Sequence, residues 1–523
     1  MFKLASAAAL TLALALAPSL EAKTLRWASK GDPQTADPHS QNEALTNLFS
    51  QQVYDTLVTR DKQLGIVPGL ASSWTQVSPT TWRFNLRKGV KFHDGSPFTA
   101  DDVIFSVQRA AHPNSNIAVY AKALGTPRKL DDTTVEFVQE QPNPVMLQHL
   151  GTIFIMSKAW SDKNKVRVPL DFKAKEETFA ARNAMGTGPF MLVSREPGVK
   201  TVLKKNPAWW GKHEGNVDEI VYTPITSDAT RMAALISGQV DFILDPPPQD
   251  LARLRANKDL KVVEGAENRI VFFGFDQARD ELLYSNVKGK NPFKDKRVRQ
   301  AFYQAIDIDA LKAKTMRGSA LPSGGITPSP LASNPQAEKR LPYDPAAAKK
   351  LLAEAGYPNG FEVTLDCPNN RYINDEAICL ATASMLAKIG ITAKVTTMPR
   401  ATYFPKLEKF DTSMYMLGWG GAITDAQTTL DPVLHSPNEK TGKGGFNYGR
   451  VNNPKLDALI DSAAVEADGD KRKELIRQAL AEHNDQVHHV PLHRQMIPWA
   501  MRSNIRVVHR ADNWLMGEWV QID

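Results

Sequence analysis

Apolar residues recur along this chain with two periods, which predict alternating strands and helices. Trp82, Phe84 and Leu86 alternate with polar neighbours, the period-two pattern of a half-buried strand. Apolar stripes with helical spacing occur within 298–306, 346–355, 378–389 and 454–460. Further strands are predicted at 199–203, 219–222, 240–243, 270–275, 362–365, 392–397, 413–417 and 505–508. Strands that alternate with helices indicate an α/β fold.

Turn and capping residues give three more detailed predictions. Lys88 and Gly89 follow the 82–86 strand, and the alternation continues through Val90 and Phe92, so we predict a β-hairpin. The sequence from Thr99 to Asp102 has the form of a capping box that begins a helix. Asp344 before Pro345 supplies a helix N-cap and a first-turn proline.

The N-terminus predicts an export signal. Lys3 precedes an Ala- and Leu-rich run from Leu4 to Ala17, and Pro18 breaks that run ahead of a cleavage region near Ala22. The run is shorter than the roughly 20 apolar residues of a membrane span. We therefore expect residues 1–22 to be a cleaved signal peptide. We also expect a protein released into a periplasm without a lipid anchor, because no cysteine lies near the cleavage region.

Composition and charge limit the functional classes. At roughly 100 to 200 residues per domain, a chain of 523 residues holds two to four domains. The net charge is +7, but lysines and arginines are dispersed, which is typical of a solvated basic surface. We expect no nucleic-acid partner, because no nucleic-acid-binding motif stands out.

Catalytic and metal-binding motifs are weak. Ser285 and Lys288 match the S-x-x-K pattern of penicillin-recognising acyl transferases, but Gly289 and Pro292 place them in a loop. His489 and His493 are separated by Pro491, which argues against a helix that presents both to a metal. We expect no cofactor and no metal site. An acyl-transfer or hydrolytic enzyme using Ser285 remains the alternative from another functional class.

The two cysteines, Cys367 and Cys379, lie twelve positions apart. In an oxidising compartment this pair predicts a disulfide rather than a metal site, which would need further soft ligands nearby.

The segment from Gly418 to Gln427 predicts a ligand-facing wall. An apolar strand ends there in Trp419, flanked by Gly418, Gly420 and Gly421. Glycines permit close approach to the backbone, and an indole offers an apolar face with one donor. Burial of Trp419 in the core is the alternative.

A long motif carries a family resemblance. The sequence from Trp82 to Val103, WRFNLRKGVKFHDGSPFTADDV, resembles the signature of extracellular solute-binding proteins of family 5, the oligopeptide, dipeptide and nickel type that serve ABC importers. Further blocks in the same order as in that family are ADPH at 36–39, LASSW at 70–74, GTGPF at 186–190, NPAWW at 206–210, SGQVD at 237–241, PFKDKRVRQA at 292–301 and LLAEAGYP at 351–358.

The resemblance implies an α/β, two-lobed periplasmic-binding-protein clamp of type II, similar to cluster C, with an extra subdomain on lobe I. By that likeness, lobe I spans about 23–266, with the extra subdomain at about 60–185, and the chain returns to lobe I at 493–523. Lobe II spans 267–492, and the hinge lies near 268–274 and 490–497.

The resemblance also implies a non-enzymatic function. A peptide or peptide-like small polar solute would bind between the lobes, favour the closed form and be delivered to an ABC permease at the inner membrane. We expect a monomer, since each clamp is complete by itself. Within the family, a nickel chelate, haem or an opine or sugar-type solute remain alternative ligands. Nickel is disfavoured, because the nearest histidine to Trp419 in the sequence is His435.

The site prediction follows the family pattern with one departure. Peptide-binding relatives carry an aspartate three residues after this tryptophan that pairs with the peptide amine, whereas this chain has Ala422 there and Asp425 as its nearest carboxylate. Arg371 resembles an arginine that meets a ligand carboxylate in dipeptide binders. The predicted ligand-binding set is Trp419, Gly418, Gly420, Asp425, Arg371, Asp37 and Tyr403.

Overall fold

The computed structural model describes residues 22–174, 177–328, 331, 339–420 and 424–523. The predicted signal peptide and Ala422 lie outside the described residues, apart from Ala22 itself. The strands are β1 (Thr24–Ser29), β2 (Val58–Arg60), β3 (Ile66–Pro68), β4 (Ala71–Ser78), β5 (Thr81–Leu86), β6 (Thr126–Asp131), β7 (Thr134–Val138), β8 (Phe190–Glu196), β9 (Lys200–Lys205), β10 (Glu219–Pro224), β11 (Phe242–Leu244), β12 (Leu260–Phe275), β13 (Ala320–Pro322), β14 (Glu362–Pro368), β15 (Thr392–Met398), β16 (Met414–Gly420), β17 (His489–Arg502), β18 (Ile505–Arg506) and β19 (Gln521–Ile522).

Helices lie between these strands, as the periodicity predicts. They are α1 (Ala44–Val53), α2 (Ala100–Ala110), α3 (Ala118–Ala123), α4 (Met146–Leu150), α5 (Lys158–Lys163), α6 (Phe179–Arg182), α7 (Asp228–Ser237), α8 (Leu251–Ala256), α9 (Lys296–Gln304), α10 (Ile308–Ala310), α11 (Pro345–Glu354), α12 (Asp375–Ala387), α13 (Arg400–Glu408), α14 (Gln427–Thr429), α15 (Pro454–Val465) and α16 (Gly469–Asp485). Short 3₁₀ or π turns occur at Pro248–Asp250, Pro292–Lys294, Leu311–Thr315, Leu430–Leu434 and Gly517–Trp519.

The predicted helix caps form as the sequence indicates. The Asp344 carboxylate accepts a hydrogen bond from the backbone N–H of Ala347 at 2.9 Å, ahead of α11. The Asp102 carboxylate accepts one from the N–H of Thr99 at 2.9 Å at the start of α2. These contacts are local, so short sequence patterns are enough to predict them.

One mixed sheet runs through the molecule. In the described part of the chain it has eleven strands, ordered β15-β14-β16-β12-β17-β11-β1-β10-β9-β8, with β13 paired to β17. Strand β12 pairs with β17 from Leu260 opposite Arg502 to Gly274 opposite His489. The register shifts between Ala266 and Ile270, where the ribbon passes from one half of the sheet to the other.

The predicted hairpin after β5 is wrong. Strand β5 is flanked by β4 and β7 in a separate sheet, ordered β4-β5-β7-β6. Its two edges are therefore occupied by β4, which directly precedes it in the sequence, and by β7. Gly89 makes the predicted turn with φ 75°, but Val90 and Phe92 bury their side chains in the core beneath this sheet.

The apolar cores divide the chain into two lobes. Lobe I contains the core around Trp27, Phe242 and Trp499, and a second core under the β4–β7 sheet, around Phe84 and Phe137. Lobe II contains the cores around α9, α11 and α12 and around Trp419 and Phe446. The paired strands β12 and β17 contribute to both lobes. The fold is thus the two-lobed α/β arrangement that the resemblance implies, while the exact domain boundaries stay predictions.

Two further structural features bear on the sequence predictions. Cys367 at the end of β14 and Cys379 in α12 form a disulfide. None of the helices in the described ranges is long and apolar enough to cross a membrane.

Candidate functional site

A cavity lies between the two lobes and holds about 1040 Å³ of empty space, including the part that opens to solvent. Lobe I contributes mostly polar side chains, among them Gln41, Asn42, Glu43, Asn47, Arg60 and Tyr120. Lobe II contributes Arg371 and the aromatic residues Tyr372, Phe404, Trp419 and Phe446. Arg269, in the irregular part of β12, reaches the same space. A guest in this cavity would touch both lobes at once.

Glu43 joins the two lobes at the cavity wall. It is the N-cap of α1, and its Oε2 accepts hydrogen bonds from the N–H groups of Leu45 and Thr46 at 3.0 and 3.2 Å. Its Oε1 lies 2.9 Å from Nε of Arg371 and 2.8 Å from Nη1 of Arg400, both in lobe II. The Glu43 carboxylate thus caps a helix of lobe I and pairs with two guanidinium groups of lobe II.

The electrostatics of this cluster keep the Glu43 carboxylate ionised. Burial by itself would raise the pKa of Glu43, but Arg400 and Arg371 outweigh it and hold that pKa below its usual value. The Glu43 side chain is only 2% exposed. The carboxylate is therefore ionised at neutral pH and depends on its two arginine partners.

Trp419, which the sequence predicts to face a ligand, lines the cavity and also belongs to a lobe II core. Its indole N–H donates to the backbone oxygen of Thr428 at 2.9 Å, and its ring lies 4.6 Å from that of Phe446, centroid to centroid. It is 8% exposed. The ligand-facing and core interpretations of Trp419 are therefore compatible, since one face of the indole packs inward.

The glycines beside Trp419 make room for protein atoms. The N–H of Gly418 donates to the hydroxyl of Tyr372 at 2.7 Å, and its carbonyl accepts from Nη1 of Arg269 at 3.0 Å. A Cβ at Gly418 would lie 2.6 Å from the Tyr372 ring, and Gly420 has φ 146° beside the carbonyl of Asn268. The backbone at Gly418, expected to be bare, is thus already hydrogen-bonded to side chains of the protein.

Three residues of the predicted set do not line this cavity. Asp37 is fully buried and forms a bidentate ion pair with Arg109, at 2.6 and 2.7 Å. The Tyr403 hydroxyl donates to the carbonyl of Met416 at 2.6 Å inside a lobe II core. Asp425 forms its own bidentate pair with Arg472, at 2.7 and 2.8 Å. The polar groups of Asp37, Tyr403 and Asp425 each bond to a residue at least 13 positions away in the sequence. A local sequence pattern therefore does not reveal these pairings.

Some site residues were not predicted from the sequence. Glu43 and Arg60 carried no motif, and Arg269 lay just before the strand predicted at 270–275, within the predicted hinge. Glu43 precedes a helix, yet glutamate is not among the preferred N-cap residues. Only its contact with lobe II gives it a role in the cavity.

The residues of the alternative enzyme and metal hypotheses have other partners. The Ser285 hydroxyl donates to the carbonyl of Glu362 at 2.7 Å, and Lys288 pairs with Glu281 at 3.3 Å. His483 and His489 lie with ring nitrogens 2.9 Å apart, and burial lowers the pKa of His483 to about 4. In the ranges that the structure describes, no group of three or more His, Cys, Asp or Glu is placed to hold a metal ion.

Comparison with known proteins decides the family. Residues 65–441 match the family described as bacterial extracellular solute-binding proteins, family 5. The chain belongs to this family. Family 5 proteins are extracellular or periplasmic ligand-binding proteins that deliver solutes to ABC importers, and the same function follows for this one.

Relatives of this family 5 protein have different named ligands. The heme-binding protein A of Haemophilus influenzae is 32% identical over 476 residues, which cover 85% of this chain and 82% of that protein. The glutathione-binding protein GsiB of Salmonella choleraesuis is 29% identical over 485 residues, which cover 90% and 89%.

A solved structure shares the fold. The periplasmic binding protein DppA from Helicobacter pylori, in complex with the peptide STSA, superposes with a TM-score of 0.85 at 23% identity. The match covers 96% of this chain and 98% of that one. The fold class predicted from the motif resemblance is confirmed.

Proposed function

We propose that this chain is an exported periplasmic protein that captures a peptide or peptide-like polar solute between its lobes and delivers it to an ABC permease. The observation that carries the proposal is the interlobe cavity, in which amide side chains of lobe I face the aromatic wall of lobe II. Amides can pair with peptide groups, and aromatic faces accept varied side chains. Relatives that are named for binding glutathione and a short peptide support this ligand class.

The mechanism requires that the solute stabilise the closed arrangement. Contacts across the lobes include Arg60 to the Thr424 hydroxyl at 2.9 Å and the Asn116 amide to Glu408 at 2.9 Å. Moving an equilibrium from mostly open to mostly closed needs about 5.5 kcal/mol of differential affinity. A solute that pairs with both walls would supply it. In this proposal the β12–β17 ribbon acts as the hinge and the protein works as a monomer without covalent chemistry.

The mode of amine recognition would differ from the family pattern. Asp425 is neutralised by Arg472, and Glu43 is shared by two arginines, so both carboxylates already have cationic partners within the protein.

The Arg371 guanidinium has donors left for a solute. Its Nη1 and Nη2 donate no hydrogen bond to the described residues, although its Nε faces Glu43. Arg371 is therefore proposed to meet a carboxylate of the solute, as the resemblance implied.

The decisive experiment is native mass spectrometry of the protein purified from the periplasm of its own organism. We expect a co-purified solute with peptide bonds, released on unfolding. A solute without any amide bond, such as haem, would contradict the proposed ligand class.

Substitution of the two proposed contact residues tests the site. We expect Trp419→Ala and Arg371→Ala each to weaken peptide affinity about thirtyfold, because each removes a large contact at the centre of the cavity wall. Isothermal titration calorimetry with the identified peptide measures this, and circular dichroism checks folding. Tyr403→Phe is the control, since that hydroxyl does not reach the cavity. Unchanged affinity in both alanine variants would disprove the site assignment.

A further inference from the structure

Arg60 is a buried cation at the cavity wall, and none of the described carboxylates forms an ion pair with it. It ends β2 in the lobe I hairpin, is 9% exposed and lines the interlobe cavity. Its Nη1 donates to the carbonyl of Leu64 at 3.3 Å and to the Thr424 hydroxyl at 2.9 Å. Both acceptors are neutral. Within the described ranges, no carboxylate lies within 4 Å of this guanidinium.

The remaining donors of Arg60 have no acceptor among the residues that the structure describes. Its Nε and Nη2 make no hydrogen bond with the described residues, although a guanidinium carries five N–H groups. Burial lowers the pKa of Arg60 to about 10. The charge of Asp512 raises that pKa and the charge of Arg510 lowers it, and these two residues form a buried ion pair with each other.

The other charged residues of the cavity wall leave its net charge positive among the described lining residues. Glu43 is the one carboxylate among the described lining residues, and it is shared by Arg371 and Arg400. Arg269 is paired with Glu267 at 2.8 Å. Positive charge is therefore in excess among the described lining residues, and Arg60 is the cation among them that lacks an ion pair. Burying an unpaired charge is costly, so a partner must come from the cavity or from water.

We propose that Arg60 binds a carboxylate of the transported solute, and that this protein selects acidic peptides. The inference rests on the proposed function and deepens it. A guanidinium matches a carboxylate with two parallel hydrogen bonds, which lysine cannot reproduce. Arg60 and Arg371 lie on opposite lobes, so a solute with two carboxylates would pair with both and hold the lobes together.

A dipeptide library tests this inference. The purified protein is stripped of bound solute, incubated with all combinations of natural dipeptides and analysed by native mass spectrometry. We expect the wild type to retain peptides with Asp or Glu at least about tenfold over their Asn or Gln counterparts, because hydrogen bonds between charged groups are the stronger ones. In Arg60→Gln this ratio should fall to near one, while retention of the amide peptides persists.

Two matched variants separate recognition from structure and from general charge. Arg477→Gln removes one positive charge from an exposed helix residue that pairs with Glu474, and should keep the wild-type ratio. Arg60→Lys keeps the charge and should retain part of the preference. If Arg60→Gln binds no peptide and Arg60→Lys does not restore acidic peptides, Arg60 is structural and the inference fails.

The remaining outcomes are equally decisive. Equal retention of acidic and amide peptides by the wild type, or an unchanged ratio in Arg60→Gln, overturns the inference but leaves the proposed function intact. Retention of no library peptide by the wild type contradicts the proposed function itself. A parallel library with amidated C-termini tests the source of the carboxylate. A preference for acidic peptides that depends on Arg60 and persists after amidation supports the inference, whereas an equal loss of acidic and amide peptides on amidation, absent in Arg60→Gln, assigns Arg60 to the peptide terminus and overturns it.

Discussion

Glu43→Gln is expected to lower the free energy of unfolding by about 3–5 kcal/mol, the cost of breaking a buried ion pair by removing one partner. Glutamine has the same shape, and its amide oxygen can still accept the N–H groups of Leu45 and Thr46. It cannot compensate the charges of Arg371 and Arg400, whose side chains are 10% and 6% exposed. The loss therefore measures the ion pairs between the lobes separately from the helix cap.

Urea denaturation of the wild type and Glu43→Gln at several pH values measures this effect. Because the pKa of Glu43 is depressed in the folded protein, its contribution is complete above the unfolded-state pKa of about 4.3 and is lost as the pH falls below it. The difference between the two proteins should therefore shrink in acid. Glu474→Gln, at an exposed pair on α16, is the control and should cost less than about 1 kcal/mol. A similarly small cost for Glu43→Gln would contradict the prediction.

Asp37→Asn is expected to destabilise the protein by about 3–5 kcal/mol as well, because it leaves Arg109 buried without its counter-ion. Both side chains are fully buried. Burial tends to raise the pKa of Asp37, but Arg109 outweighs it and keeps the pKa below its ordinary value. The Asp37 carboxylate also accepts from the N–H of His39 at 3.1 Å and of Leu170 at 3.1 Å. These contacts fix the position of the chain between Asp37 and Glu43.

The Asp37→Asn variant distinguishes a structural role of Asp37 from the ligand contact that the sequence suggested. Thermal and urea unfolding of Asp37→Asn should show the loss, while peptide affinity at a temperature where the variant is folded should change less than about threefold. Asp162→Asn is the matched control, since Asp162 forms its ion pairs at the surface. A large loss of affinity without a loss of stability would instead assign Asp37 to the ligand.

The elements predicted correctly are those whose signals are local. The helices after Asp344 and Thr99 form where their caps indicate, because a capping side chain reaches only the next turn. The hairpin after β5 failed because the alternation of Val90 and Phe92 reports burial but not the identity of the pairing strand. Strand β12 begins at Leu260, well before its apolar segment, since its first half contains polar residues beside β17.

The sequence by itself determined the family and the α/β class, because motif order and periodicity are properties of the chain alone. The tertiary structure alone decided which charges are free. Asp425 and Asp37 are neutralised by Arg472 and Arg109. Arg60, which no motif marked, has donors at the cavity that bond to none of the described residues. The physical reason is that a charged group acts through its nearest partners and its burial, and these depend on contacts between segments far apart in sequence.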